Sequence, residues 1–78
     1  MNFIEQAQID AVGRDRIRFS RREQGGWWVH DRQRGDARVG HVERSLYGWR
    51  YVHARLIATG NRECDTRLGA AAALLQVG

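Results

Sequence analysis

Seventy-eight residues with thirteen arginines, no lysine and nine acids give a chain of net charge +4. Its single cysteine excludes an internal disulfide, and a chain this short buries only ~60–65% of the surface exposed when unfolded, which holds it to one domain, 1–78, with a small core. No run approaches the ~20 apolar residues of a membrane span, and residues 1–12 carry Glu5 and Asp10, so neither an anchor nor a signal peptide is expected and the location expected is cytoplasmic.

The fold class expected is α+β: an antiparallel three- or four-stranded sheet with a C-terminal helix packed on one face and a short N-terminal helix. Residues 1–13 hold the first helix, over 3–12. Asn2 can cap it, Glu5 stands three residues on as in a capping box, and Gly13 can end it. Its apolar stripe is Phe3, Ile4, Ala7 and Ala11. From Asp15 the period changes to two, and residues 15–58 read as the sheet. Ile17 and Phe19 alternate with Arg16, Arg18 and Ser20, and Gln24-Gly25-Gly26 turns into a strand at Trp27–Arg32. Arg34-Gly35-Asp36 reverses the chain into Ala37–Arg44. There Val39 and Val42 fall out of phase, and Gly40 marks a bulge that restores it. After a connection at Ser45–Gly48, the longest strand runs to Ala58. Residues 65–77 supply the last helix, Arg67 to Val77, with Asp65-Thr66 as its N-cap. Gly69 costs that helix ~1 kcal/mol unless it permits a close approach. Every connection between strands is too short for a crossover, so the sheet is antiparallel.

One phrase occurs twice. Gly26-Trp27-Trp28-Val29-His30-Asp31-Arg32 returns as Gly48-Trp49-Arg50-Tyr51-Val52-His53-Ala54-Arg55. Alternate residues of a strand share a face, so Trp28 goes with His30 and Arg32, and Trp49 and Tyr51 go with His53 and Arg55. An alanine-rich helix suits a small aliphatic face, which places Ile17, Phe19, Trp27, Val29, Val52, Ala54 and Leu56 beneath Leu68, Leu74 and Leu75. The opposite face would then collect Arg16, Arg18, Trp28, His30, Arg32, Trp49, Tyr51, His53 and Arg55. These nine are the candidate residues for binding nucleic acid or an acidic protein surface, since arginine pairs with phosphate and carboxylate through two bonds and stacks on rings. Two accounts of this face stay open: it meets a partner, or the first helix covers it with Phe3, Ile4 and Ala7 and the rings are core. Dimerisation through the aromatic face is a third outcome. The absence of lysine also fits a GC-rich coding sequence, whereas the excess of basic over acidic residues survives that explanation.

Chemistry beyond binding finds little footing. His30, His41, His53 and Cys64 have no zinc-site spacing, Cys64 lies in no nucleophile motif, and the acids are scattered through turns and rims. No glycine-rich loop opens a helix to cradle phosphate. No enzyme activity, metal or cofactor is expected.

Gly48-Trp49-Arg50-Tyr51-Val52, the turn at Thr59-Gly60-Asn61, and Thr66-Arg67 opening an alanine-rich helix that ends in Leu74-Leu75 carry a resemblance. From Arg16 to Leu75 the chain is similar to the arm-type DNA-binding modules of phage-type tyrosine recombinases, three antiparallel strands with one packing helix. That resemblance implies a sheet that enters the major groove, with Arg32, Trp49, Tyr51 and Arg55 at the DNA. The chain departs by an added helix and a fourth strand. By size and type alone it also resembles small phage and mobile-element proteins such as anti-CRISPRs, which implies a protein-binding inhibitor or adaptor acting on host nucleic-acid machinery.

Overall fold

The computed structural model describes residues 3–55 and 63–77. In chain order they form α1 (Phe3–Val12), β1 (Ile17–Arg21), β2 (Trp27–Asp31), β3 (Ala37–Ser45), β4 (Gly48–His53) and α2 (Arg67–Val77), with one-turn 3-10 helices at Arg14–Arg16 and Arg32–Arg34. The strands make one antiparallel meander in the order β1-β2-β3-β4. Both helices match the ranges read from sequence. The strand expected to reach Ala58 ends at His53, and Leu56 and the turn at Thr59-Gly60-Asn61 lie outside the described residues.

Register decides which residues reach the core. The bulge expected at Gly40 is present: Val29 pairs with Gly40 while His30 pairs with Arg38, leaving Val39 as the extra residue. A Cβ on Gly40 would run into the Val52 carbonyl oxygen and come within 3.2 Å of the Leu74 side chain, so a bare backbone lets α2 approach here. β3 and β4 then meet across the two-residue turn Leu46-Tyr47, with Ser45 opposite Gly48, which puts Val42 opposite Tyr51. One face thus carries Ile17, Phe19, Trp27, Val29, Val42, Trp49 and Tyr51, packed with Ala70–Leu74 of α2.

This corrects the face assigned to β4. Trp49, Tyr51 and His53 belong to the side covered by α2, and Val52 to the opposite side. The physical reason is volume: alanines leave a shallow helix surface, and large rings fill the space above it better than small aliphatic residues do.

The first helix rules out the account in which it covers the other face of the sheet. It packs on α2, not across the bare face of the sheet, burying Glu5, Ile9 and Val12. Phe3 and Ile4 are 95% and 62% exposed, and Ala7 and Ala11 face solvent with them. Glu5 reaches beyond its own helix. Its carboxylate accepts from the Asp65 and Thr66 N–H groups, each at 2.9 Å, and from the Thr66 hydroxyl at 2.7 Å. Thr66 Oγ1 in turn accepts from Gly69 N–H, as an N-cap should. In a capping box the residue three beyond the cap reaches back with a glutamate; here that residue is Gly69, and a Cβ on it would overlap the Glu5 carboxylate. The glycine permits a close approach as expected, but of α1 and not of the sheet. Burial alone would raise the Glu5 pKa; the hydrogen bonds from Asp65 and Thr66 outweigh it and hold the group below its ordinary value.

A second buried carboxylate, Asp31, closes the other end of the sheet. It stands opposite Ile17 on the core side and is fully buried. Arg16 donates to it through Nε at 2.8 Å and Nη2 at 2.7 Å, and the Gln33 N–H adds a third bond. Arg16, foremost, holds the Asp31 pKa below its ordinary value against the cost of burial.

Candidate functional site

Among the described residues no helix packs on the other face of the sheet. It is built from Arg18 and Ser20 of β1, Trp28 and His30 of β2, Arg38, His41 and Glu43 of β3, and Arg50 and Val52 of β4, extended past β1 by Arg22. Trp28 sits near its centre. The Arg38 guanidinium lies 4.1 Å from the ring centroid and that of Arg22 lies 5.1 Å away, while His41 meets the ring edge-on at 5.7 Å. Stacked guanidinium and indole planes hold each other through the ring's negative face.

The other cations on this face are committed to acids. Arg18 grips Asp36 through both nitrogens at 2.6–2.9 Å, and Arg50 holds Glu43 at 2.7 Å. Arg18 lowers the Asp36 pKa chiefly through those bonds, helped by its charge and by those of His30 and Arg32. Neither Arg22 nor Arg38 has an ion pair among the described residues. Arg22 donates to the Gly25 carbonyl, and its buried Nε meets no acceptor among the described residues. Two cations with hydrogen-bonding capacity in reserve therefore flank one half-buried ring.

The histidines divide. His30 is held at both nitrogens, Nδ1 by the Asp36 carbonyl at 3.2 Å and Nε2 by Ser20 Oγ at 2.7 Å. A carbonyl only accepts, so Nδ1 carries a proton, and in the neutral ring Nε2 accepts from the serine hydroxyl. His41 has its pKa lowered, first by burial and then by the Arg22 and Arg50 charges, with Glu43 opposing. His53 lies on the helix-covered side, its Nδ1 accepting from the Arg55 N–H at 3.0 Å.

The nine candidate residues therefore part company. Arg18, Trp28 and His30 share the open face, whereas Arg16 is spent on buried Asp31 and Arg32 is exposed in the connection between β2 and β3. Trp49 and Tyr51 pack against the core, and Arg55 is exposed beyond the end of β4. The four residues that the arm-type resemblance aligns with DNA, Arg32, Trp49, Tyr51 and Arg55, do not form one surface. Sequence reading passed over Arg22, Arg38 and His41. Arg22 continues the Arg18-Ser20 alternation, a usable signal, while Arg38 and His41 join this face only once the bulge is placed.

A second set of stacked arginines lines the rim on the helix side: Arg67 lies 4.5 Å from both Phe19 and Trp27, and Arg44 lies 5.7 Å from Trp49. At the far end of the sheet, Arg34, Arg38, His53 and Arg55 line a cleft of about 390 Å3 with Val39 and Val77. Among the described residues no three potential metal ligands cluster, and no helix is long and apolar enough to cross a membrane. No protein-family model, curated protein or solved structure matches the chain.

Proposed function

We propose that this protein binds nucleic acid through the open face of its sheet, with Trp28 as the stacking ring and Arg22 and Arg38 as phosphate contacts. The observation that carries the reading is the pairing pattern on this face: Arg18 and Arg50 are neutralised by Asp36 and Glu43, and the face's two other arginines, which have no ion pair among the described residues, both lie on Trp28. A ring already stacked by guanidiniums offers a π-face to a base when one of them swings to a phosphate.

Retention on immobilised DNA or RNA at low salt is the test, repeated with Trp28→Ala and with Arg22→Ala/Arg38→Ala. Binding should weaken with rising salt, the double arginine variant should have a shallower log-log salt slope, and loss of the ring should cost about 1–3 kcal/mol on a single strand. No retention of either polymer by the native protein would reject the reading.

A protein partner is the second reading, and a different region supports it. Phe3 and Ile4 on α1 and Leu46 and Tyr47 in the β3–β4 turn are all exposed, the last two at 88% and 82%. Under this reading the protein is an inhibitor or adaptor, and a nuclease-resistant protein recovered by pull-down, and lost with Phe3→Ser or Tyr47→Ser, would favour it.

A further inference from the structure

We infer that the nucleic acid is single-stranded, and that its path leads from Trp28 across Arg38 into the cleft at the end of the sheet, where Arg34 and Arg55 take a phosphate. This rests on the open face being the binding surface.

Three observations converge. The first is width. Four strands spaced ~4.8 Å apart span about 14 Å between their outer axes, more than the ~12 Å of a B-DNA major groove, so this sheet cannot lie flat in one. The second is the position of the ring. Trp28 lies on an inner strand near the middle of the face, where a splayed base can reach it and a base within a duplex stack cannot.

The third is Arg38, which belongs to both places. Its guanidinium covers the Trp28 ring at 4.1 Å, and the same residue lines the cleft. Arg38 pairs with His30, two residues along β2 from Trp28, a step of roughly 6–7 Å, or about two stacked-nucleotide rises of ~3.4 Å. A phosphate held by Arg38 would thus lie within a nucleotide or two of a base on Trp28.

The cleft has the size and charge for this task. Its volume of about 390 Å3 falls within the ~300–1,000 Å3 typical of small-ligand sites. Arg34 reaches Asp31 at 3.7 Å, so that acid cancels one of the three guanidinium charges. Val77 at the end of α2 adds about half a negative charge from the helix dipole. The balance stays positive by more than one charge. Val39 and Val77 supply an apolar wall against which a sugar can rest.

The test measures anisotropy with a labelled oligothymidine, an oligouridine of equal length and a duplex of matched length, for the native protein and for exposed-site variant Arg55→Ala. One of the two single strands should bind about tenfold or more tightly than the duplex, and the tighter of them identifies the natural polymer. Arg55→Ala should weaken single-strand binding severalfold and reduce the log-log salt slope by about 0.7, the increment for one phosphate on a single strand. Duplex binding as tight as single-strand binding would overturn the inference while leaving the open face as the binding surface. So would an Arg55→Ala variant with unchanged affinity and slope, provided Trp28→Ala still weakens binding. If no probe binds the native protein at low salt, the functional reading falls as well.

Discussion

The two copies of the Gly-Trp phrase occupy the same sheet and start in step, Trp27 and Trp49 both pointing to the helix, but their histidines, His30 and His53, end on opposite faces. In β2 the second ring, Trp28, and His30 point to the open face, while Trp27 and Val29 point to the helix. In β4 the rings Trp49 and Tyr51 point to the helix, and Arg50 and Val52 face outward. A strand's side-chain period of two means that a one-residue difference in register exchanges the two faces. The extra residue in the second copy is that difference: it leaves Trp27 and Trp49 in step and turns His53 to the helix side where His30 faces out. Like phrases thus take unlike places: both rings of the β4 copy build the core, and the β2 copy leaves one ring, Trp28, on the open face.

The largest expected effect breaks the β4 copy. Trp49→Ala should cost about 3 kcal/mol, because it opens a cavity beside Tyr51 and Cys64. Trp28→Ala, on the open face, should cost clearly less stability in the same urea titration. Equal losses would mean that both copies are core.

Next comes the clamp that ties α1 to the start of α2. Glu5→Ala strands two partly buried N–H groups and should cost about 2 kcal/mol. Gly69→Ala should also destabilise. That sign opposes helix propensity, which favours alanine by ~1 kcal/mol, because the new methyl displaces the Glu5 carboxylate. A more stable Gly69→Ala protein would show that the clamp contributes nothing.

Acid sharpens the same contrast. Asp31 and Glu5 have pKa values below those of the unfolded chain, so their stabilisation is complete above about pH 5 and is lost as pH falls through their folded values. Thermal melts across that range should show a decline that Glu5→Gln makes shallower. The smallest effect belongs to His41 beside Trp28. Its lowered pKa means that the unfolded chain binds its proton more readily, so stability should slip as pH falls below about 6.5. A bound polyanion should raise that pKa, and affinity should therefore tighten by less than about tenfold between pH 8 and pH 6. An imidazole titration by NMR, with and without oligonucleotide, checks both signs.

Much of the fold was legible because its signals are local. The 3.6-residue and two-residue periods, the turn glycines and Thr66 as a cap each act over a few residues, and the bulge at Gly40 declared itself through Val39 and Val42. The face of β4 was legible too, though by counting and not by composition: a two-residue turn at Leu46-Tyr47 sets Tyr51 opposite Val42, and a valine on the core side draws the ring with it. Matching a small-residue helix to a small-residue face instead pointed the wrong way. Glu5 could not have been found from its neighbours. Its partners stand sixty residues on, and the only sequence trace of the contact is a glycine at Gly69 where a capping box wants a glutamate. Of the candidate site, Trp28 was visible from strand alternation, whereas the roles of Arg22 and Arg38 depend on which other arginines find acids across the sheet.

The three indole N–H resonances test the central claim most directly, since each tryptophan reports from its own place. Titrating an oligothymidine into the labelled protein should move the Trp28 signal and leave that of Trp49, packed beneath α2, where it is. Movement of Trp49 with Trp28 unmoved would contradict the account and return the binding surface to the β4 copy of the phrase.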